Sequence, residues 1–272
     1  MSLTALLWKE LKSIKGSKVI ATYASSLGVL ALFFLLIYFG QVTLFTGLTR
    51  ELAIQQFMKD PKIFGISVDE VEKLKDNINE LLALSILVTQ LPMIIPLFTA
   101  IMTYTSIWES FNIEKACKTM EVLLASPVKV RDIVLAKYIS GIFHGVNVWL
   151  INVALAFVMI QYLSLRILGR LWAPSEFFIT LTFIIAPSMI CLASVLALLV
   201  GIRGSETLAK VFDKVIVLIP LAVMIIALPA NLHPKQLIEI YEYIALASVT
   251  SSLIIVLWSR RMINRLSFIV NY

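Results

Sequence analysis

Glu114, Lys118, Thr119, Glu121, Ser126, Pro127, Lys129 and Arg131 crowd one short segment, EKACKTMEVLLASPVKVR, of a chain in which only 15% of residues are charged. Their types suit recognition rather than catalysis. No nucleophile stands beside a general base, and no His, Cys or carboxylate set has metal-ligand spacing. Ile113, Met120, Leu123 and Leu124 fit an apolar helix face, with Glu109, Glu114, Lys118 and Glu121 on a polar one. An apolar stripe flanked by charge suits docking into a groove on a partner; it suits equally a helix lying on lipid headgroups. Lys118, four residues after Glu114, makes a favourable helical pair. Ser126 is expected to cap a new helix with Pro127 at its first position. A second polar set, Ser140, His144 and Asn147, recurs at i, i+4 and i+7 on one helix face. Those three would either line a substrate path or hydrogen-bond a neighbouring helix.

The elements that carry these residues are apolar. Of the 272 residues, 60% are hydrophobic, and the mean hydropathy is +0.93. Soluble domains are about half apolar and about a quarter charged. Six stretches approach the roughly 20 apolar residues that a bilayer-crossing helix needs: 19–40, 81–107, 133–163, 177–200, 215–232 and 243–258. No alternating barrel pattern occurs, so the expected fold is an all-α membrane protein with six transmembrane helices. Residues 1–18, with Leu3, Leu6, Leu7, Leu11 and Ile14 at helical spacing among lysines, are expected to form an amphipathic helix at the membrane interface, or else a plain basic flank. The first apolar run is too long for a signal-peptide core and is expected to remain in the protein. Residues 259–272 form a basic tail. Lys and Arg counts orient the chain. Placing both termini inside puts Lys9, Lys12, Lys15, Lys18, Lys115, Lys118, Lys129, Arg131, Lys137, Arg203, Lys210, Lys214, Arg260, Arg261 and Arg265 there, fifteen of the 23 cations. Arg166 and Arg170, on the outer side, run against the rule. The +6 net charge is mostly this asymmetry and gives no argument for nucleic acid.

The 41–80 loop is expected outside, either as a lid or as a solvated helical hairpin broken at Asp60-Pro61, its second helix starting at Ser67 with Glu70 completing a capping box. The spans as drawn carry no Asp, Glu or Arg, and one lysine, Lys137, near an end where it is expected to snorkel outward. Ion-coupled carriers usually need ionisable groups near the midplane, so an ion gradient is a poor energy source here. No G-x-x-x-x-G-K-[ST] loop occurs; if ATP is used, another chain binds it. Gly141 and Gly145, and Ala193, Ala197 and Gly201, have the small-residue spacing that allows close helix contact. Cys117 and Cys191 are too differently placed for a disulfide.

The segment from Glu114 through Thr119, Glu121, Leu123-Leu124 and Ser126-Pro127-Val128 to Lys137 resembles the signature of ABC-2 transporter permeases, roughly E-x-x-G-T-x-E-x-L-L-x-[ST]-P followed by Gly-Lys. Thr119, Glu121, Leu123, Leu124, Ser126, Pro127 and Lys137 match directly, and Glu114 stands at a commonly acidic position. Lys118 and Ala136 replace glycines of the pattern. The resemblance implies an N-terminal elbow helix, six spans and a cytoplasmic coupling segment at 109–131, in which Glu114, Lys118, Thr119, Glu121, Leu123, Leu124 and the Ser126–Arg131 turn with Lys129 meet an ATPase. It implies a permease in the plasma membrane that pairs with a second copy or a homologue, binds two cytoplasmic ATPase subunits carrying ATP and Mg, and exports a solute. The chain itself would hold no cofactor and catalyse nothing. The competing expectation is an assembly of the same kind doing mechanical or regulatory work without moving a solute.

Overall fold

A computed structural model of the chain describes residues 3–13, 20, 23, 24, 27, 28, 31, 35, 61, 65–67, 69, 70, 78–125, 127–203, 211 and 234–262. Among these residues there is helix and no strand. The helices are α1 (Leu3–Ser13), α2 (Ile78–Ala116), α3 (Thr119–Ala125), α4 (Val130–Leu168), α5 (Glu176–Ile179), a π-helical turn (Thr180–Ile185), α6 (Ala186–Arg203) and α7 (Pro234–Met262). Among the described residues three stretches are long and apolar enough to cross a membrane: Leu87–Ala116, Val130–Leu168 and Glu176–Ile202. They coincide with the expected spans at 81–107, 133–163 and 177–200. The expected span at 243–258 lies within α7. Those at 19–40 and 215–232, the 203–214 loop, the break at Asp60 and the tail beyond 262 fall largely or wholly outside the described residues.

α2 packs along α4 and α6, and α7 lies against α6 and the π-helical turn. Two large apolar cores result among the described residues, beside smaller clusters around Leu6 and around Met102 and Val148. One gathers Tyr104, Ile107, Phe111, Met120, Ile185 and Tyr241; the other gathers Leu84, Leu91, Ile160, Trp172 and Phe178. The small residues singled out above are used inside this bundle. A methyl at Gly141 would run into the Ile107 side chain, one at Gly145 into the Thr103 hydroxyl, and one at Gly201 into the Phe111 ring. Close helix approach in apolar surroundings depends on such residues.

The π-helical turn has a local cause. Pro187 has no N–H, and its ring would clash with the carbonyl four residues earlier, at Phe183. The backbone widens by one residue, so the Ala186 N–H reaches back to the Leu181 carbonyl. The Thr182 carbonyl then loses both donors: Ala186 is committed to Leu181, and residue 187 is a proline. Trp149 of α4 supplies the missing bond, its indole Nε1 standing 2.7 Å from the Thr182 oxygen. A carbonyl that faces no water must find such a partner.

At the end of the bundle formed by residues 168–176, α4 stops at Gly169 in the left-handed conformation (φ 68°). Gln161 grips the Trp172 backbone at both its N–H (2.9 Å) and its carbonyl (2.8 Å). Ser175 caps α5, accepting from Phe178 N at 3.2 Å. Gly65, Ser67 and Glu70 meet this end of the bundle. Half of the expected capping box forms: the Glu70 carboxylate accepts from Ser67 N at 2.8 Å and from its hydroxyl at 2.9 Å, while the Glu70 N–H bonds the Ser67 backbone carbonyl at 3.2 Å instead of the side chain. Arg170 holds that carboxylate with two nitrogens and donates to the Gly65 carbonyl at 3.1 Å. Arg170 thereby lowers the Glu70 pKa to about 2. The cation that ran against the charge rule is neutralised by an acid on the same side.

Trp149→Phe keeps the ring but strands the Thr182 carbonyl. It is expected to destabilise the purified protein by about 1–3 kcal/mol, read as a lowered thermal midpoint in detergent, whereas Trp149→Phe with Pro187→Ala should recover part of the loss.

Candidate functional site

Lys137 is 1% exposed, and four oxygens crowd its ammonium. The Glu10 carboxylate lies at 3.1 Å, the Glu114 carboxylate at 2.8 Å, and the Ser110 carbonyl and hydroxyl at 2.9 and 2.7 Å. The Phe111 ring centroid is 5.2 Å away. Ser110 donates its own proton to the second Glu10 oxygen at 2.7 Å. Lys9, at the rim, holds the other Glu114 oxygen at 2.7 Å. Two carboxylates and two ammonium groups thus form a neutral set. A buried charge is tolerable only when paired and hydrogen-bonded in this way.

Local sequence explains the convergence. On α1, Glu10 follows Leu6 by one turn and Leu3 by two, so it stands on the buried side. Leu6 packs against Val128, Ile133 and Ala136, with Leu3, Leu7 and Leu123 beside it. That contact brings Glu10 to Lys137, one turn along α4 from Ile133. On α2, Ser110 and Glu114 are one turn apart and face the same point. The cluster therefore ties α1, α2 and α4 together at the base of the 109–131 segment. Lys137 does not snorkel outward as expected; two acids come to it instead.

The segment departs from its expected shape in three ways. First, the helix does not run through to Ser126. α2 stops at Ala116, and Lys118 adopts φ 56°, the left-handed region. Its N–H bonds the Lys115 carbonyl at 3.0 Å, and the Thr119 hydroxyl takes the Glu114 carbonyl at 3.2 Å. The first is the inner bond of a Schellman turn, and the Thr119 hydroxyl covers the carbonyl that the outer bond of such a turn would cap. Glu114 accordingly pairs with Lys9 and Lys137, not with Lys118. Second, Pro127 does not open α4. That helix begins at Val130 with Lys129 as its N-cap in extended conformation, because Val128 turns inward onto Leu6. Third, the expected apolar stripe is largely consumed within the chain. Met120 is buried in the core with Phe111, and Leu123 packs beside Leu6.

What remains outward is Asn112, Ile113, Lys118, Thr119, Val122, Pro127, Lys129 and Arg131. Ile113 is 56% exposed and Val122 70%. Ser126, and the side chains of Glu121 and Leu124, lie outside the described residues. On α4, Ser140 is buried, and His144 Nδ1 stands 3.4 Å from the Tyr23 hydroxyl with the two rings edge to face. Asn147 is half-buried one turn further. Sequence reading missed Glu10, Ser110 and Trp149. Glu10 carried a signal, since it falls in the apolar series of its helix.

Comparison with family models, with curated proteins and with solved structures finds no match to this chain.

Removing the ammonium leaves two buried carboxylates with one peripheral lysine. Lys137→Met is expected to destabilise by about 3–5 kcal/mol, and Lys137→Met with Glu10→Gln by less than Lys137→Met alone, both read by thermal denaturation in detergent. Lys118→Gly relieves a left-handed side chain and is expected to stabilise by about 0.5–1 kcal/mol; a lowered midpoint would contradict the backbone assigned at this turn.

Proposed function

We propose that this chain is the membrane subunit of an ATP-driven exporter, and that residues 109–131 are the surface through which a separate ATPase drives it. The supporting observation is mechanical. The segment joins two membrane-length helices, is folded into a compact helix–turn–helix, and is bolted to α1, α2 and α4 by the buried Lys137 cluster. A push on it displaces two spans together rather than bending a loop. Its outward residues include the apolar Ile113 and Val122 and the cationic Lys118, Lys129 and Arg131. Such a set suits an acidic-rimmed groove.

The resemblance of the 114–137 segment to ABC-2 permeases gives this surface its partner. In that reading both termini and the 109–131 segment are cytoplasmic, the membrane is the plasma membrane, and α1 is the elbow helix with Trp8, 70% exposed, at the headgroups. Six spans pair with six from a second permease chain. ATP and Mg belong to the ATPase, and this chain catalyses nothing. The αL turn adds support. The family pattern places glycine where Lys118 stands, and this backbone is one that glycine adopts without strain.

The test is the full-length tagged chain purified from its native membranes. It should carry Mg-dependent ATP hydrolysis. Val122→Glu, at an exposed position, should lower that activity at least tenfold without lowering the thermal midpoint, and Glu121→Arg should do the same. Hydrolysis absent from the wild-type preparation, or undiminished in both variants, overturns the assignment.

A further inference from the structure

Trp172 sits in a socket that α4, α5 and the turn between them build by themselves. Gln161 holds its backbone at both the N–H and the carbonyl. Its ring meets Phe178 edge to face at 5.1 Å between centroids and leans on Phe157 at 6.5 Å. The Ser164 hydroxyl donates to the Arg170 carbonyl at 2.8 Å, so the turn after Gly169 is fixed from α4. Ser175 fixes the start of α5. Leu84 and Leu87 of α2 belong to the same apolar cluster.

Gly65, Ile66, Ser67 and Glu70 meet this socket as a separate piece. They are bonded among themselves and to Pro61. The Ile66 N–H donates to the Pro61 carbonyl at 3.1 Å, and Ser67 donates to Glu70 through both its N–H and its hydroxyl. Ile66, 3% exposed, joins the cluster of Leu84, Trp172 and Phe178. Gly65 lies so close that a methyl there would collide with the Trp172 indole and the Ala173 carbonyl, and its φ of 67° is one that glycine adopts without strain. Arg170 spans the boundary, holding both Glu70 oxygens and the Gly65 carbonyl.

Each side is thus bonded within itself, and the two are bridged by an aliphatic side chain, a close backbone approach and a guanidinium. The guanidinium is the weak member. Its side chain is 40% exposed, against 0% for Lys137, so water and salt compete for Glu70 as they cannot within the buried cluster. A unit held to its neighbour by screened contacts can open locally, below the free energy of global unfolding.

We propose that residues 65–67 with Glu70 are a latch on the Trp172 socket, which parts from the bundle as a unit when Arg170 releases it, while α2, α4 and α5 keep their packing. Parting uncovers Trp172 and Phe178, buried at 2% and 1%, and turns a closed end of the bundle into an aromatic, apolar face. The socket keeps its shape because Gln161, Ser164 and Ser175 hold it from its own side. The latch rests on these contacts and not on ATP coupling, so its test needs no ATPase.

The test is thiol labelling of the purified full-length chain in detergent, in a background with Cys117→Ser and Cys191→Ser. The rate at which N-ethylmaleimide modifies Ile66→Cys reports opening of the latch. Ile160→Cys, at a fully buried position of the same cluster but carried by α4, reports opening of the bundle itself. Arg170→Gln, which removes the fork, should quicken Ile66→Cys at least tenfold. Gly65→Ala, which drives a methyl into the Trp172 turn, should do the same without altering any charge. Both should leave Ile160→Cys within twofold of its starting rate. An Ile66→Cys rate that either substitution leaves unchanged, or an Ile160→Cys rate that rises along with it, overturns the latch.

Discussion

One ammonium buried between two carboxylates organises this protein. Lys137 cannot be charged and unpaired inside a bundle of apolar helices, so α1, α2 and α4 meet where Glu10, Glu114 and Ser110 can reach it. The pairing restricts geometry more than an apolar contact does. Leu6 could slide along α4 by a few tenths of an ångström with little change in energy, whereas four oxygens around one nitrogen define a point. The expense of desolvating such a set means it contributes less to net stability than to register. What it provides is a single arrangement of the helix ends, with the segment between α2 and α4 tied to both.

The two turns of that segment illustrate how side chains finish what backbone chemistry starts. At the first, the Thr119 hydroxyl covers the Glu114 carbonyl while the Glu114 carboxylate faces Lys137, so one residue anchors both the turn and the cluster. At the second, burial of Val128 against Leu6 keeps the chain extended as far as Lys129, and α4 starts only at Val130. The motif residues Thr119 and Lys137 thus have structural work within the chain, and in the proposed coupling role recognition would fall to their exposed neighbours Val122, Lys129 and Arg131.

Much of the scaffold could be read from the sequence because hydropathy and length dominate there. The three membrane-length helices match their apolar runs, and the Ser67–Glu70 box follows from two residues three apart. Whatever depends on two distant residues meeting was harder to read. Lys137 looked like a lysine near a helix end because its partners lie 127 and 23 residues away in sequence. Met120 and Leu123 looked available for a partner because nothing local says that α1 and the core take them first. The left-handed Lys118 was invisible for a related reason: lysine carries no turn signal, and only the pattern's glycine at that position hinted at one.

Stiff ends and an irregular middle make a coherent mechanical design. One end is fixed by the water-excluded Lys137 cluster. The other is fixed by Arg170 on Glu70 and Gly65, a partly solvated clamp and therefore the weaker of the two. Between them, α2 carries Pro92 and Pro96, and the rod from Glu176 to Arg203 carries its π-helical turn. A helix bends where its ladder is already broken, since no further bond need be lost there. A displacement applied at the 109–131 segment would pass unbent through the cluster, flex at the level of Trp149 and Asn152, and reach the Arg170 clamp as the contact easiest to part. In the exporter proposed above, the strongest interaction would stand where the ATPase pushes and the more yielding one at the opposite end of the bundle, where Glu70 is held, which is the order that a one-way opening needs.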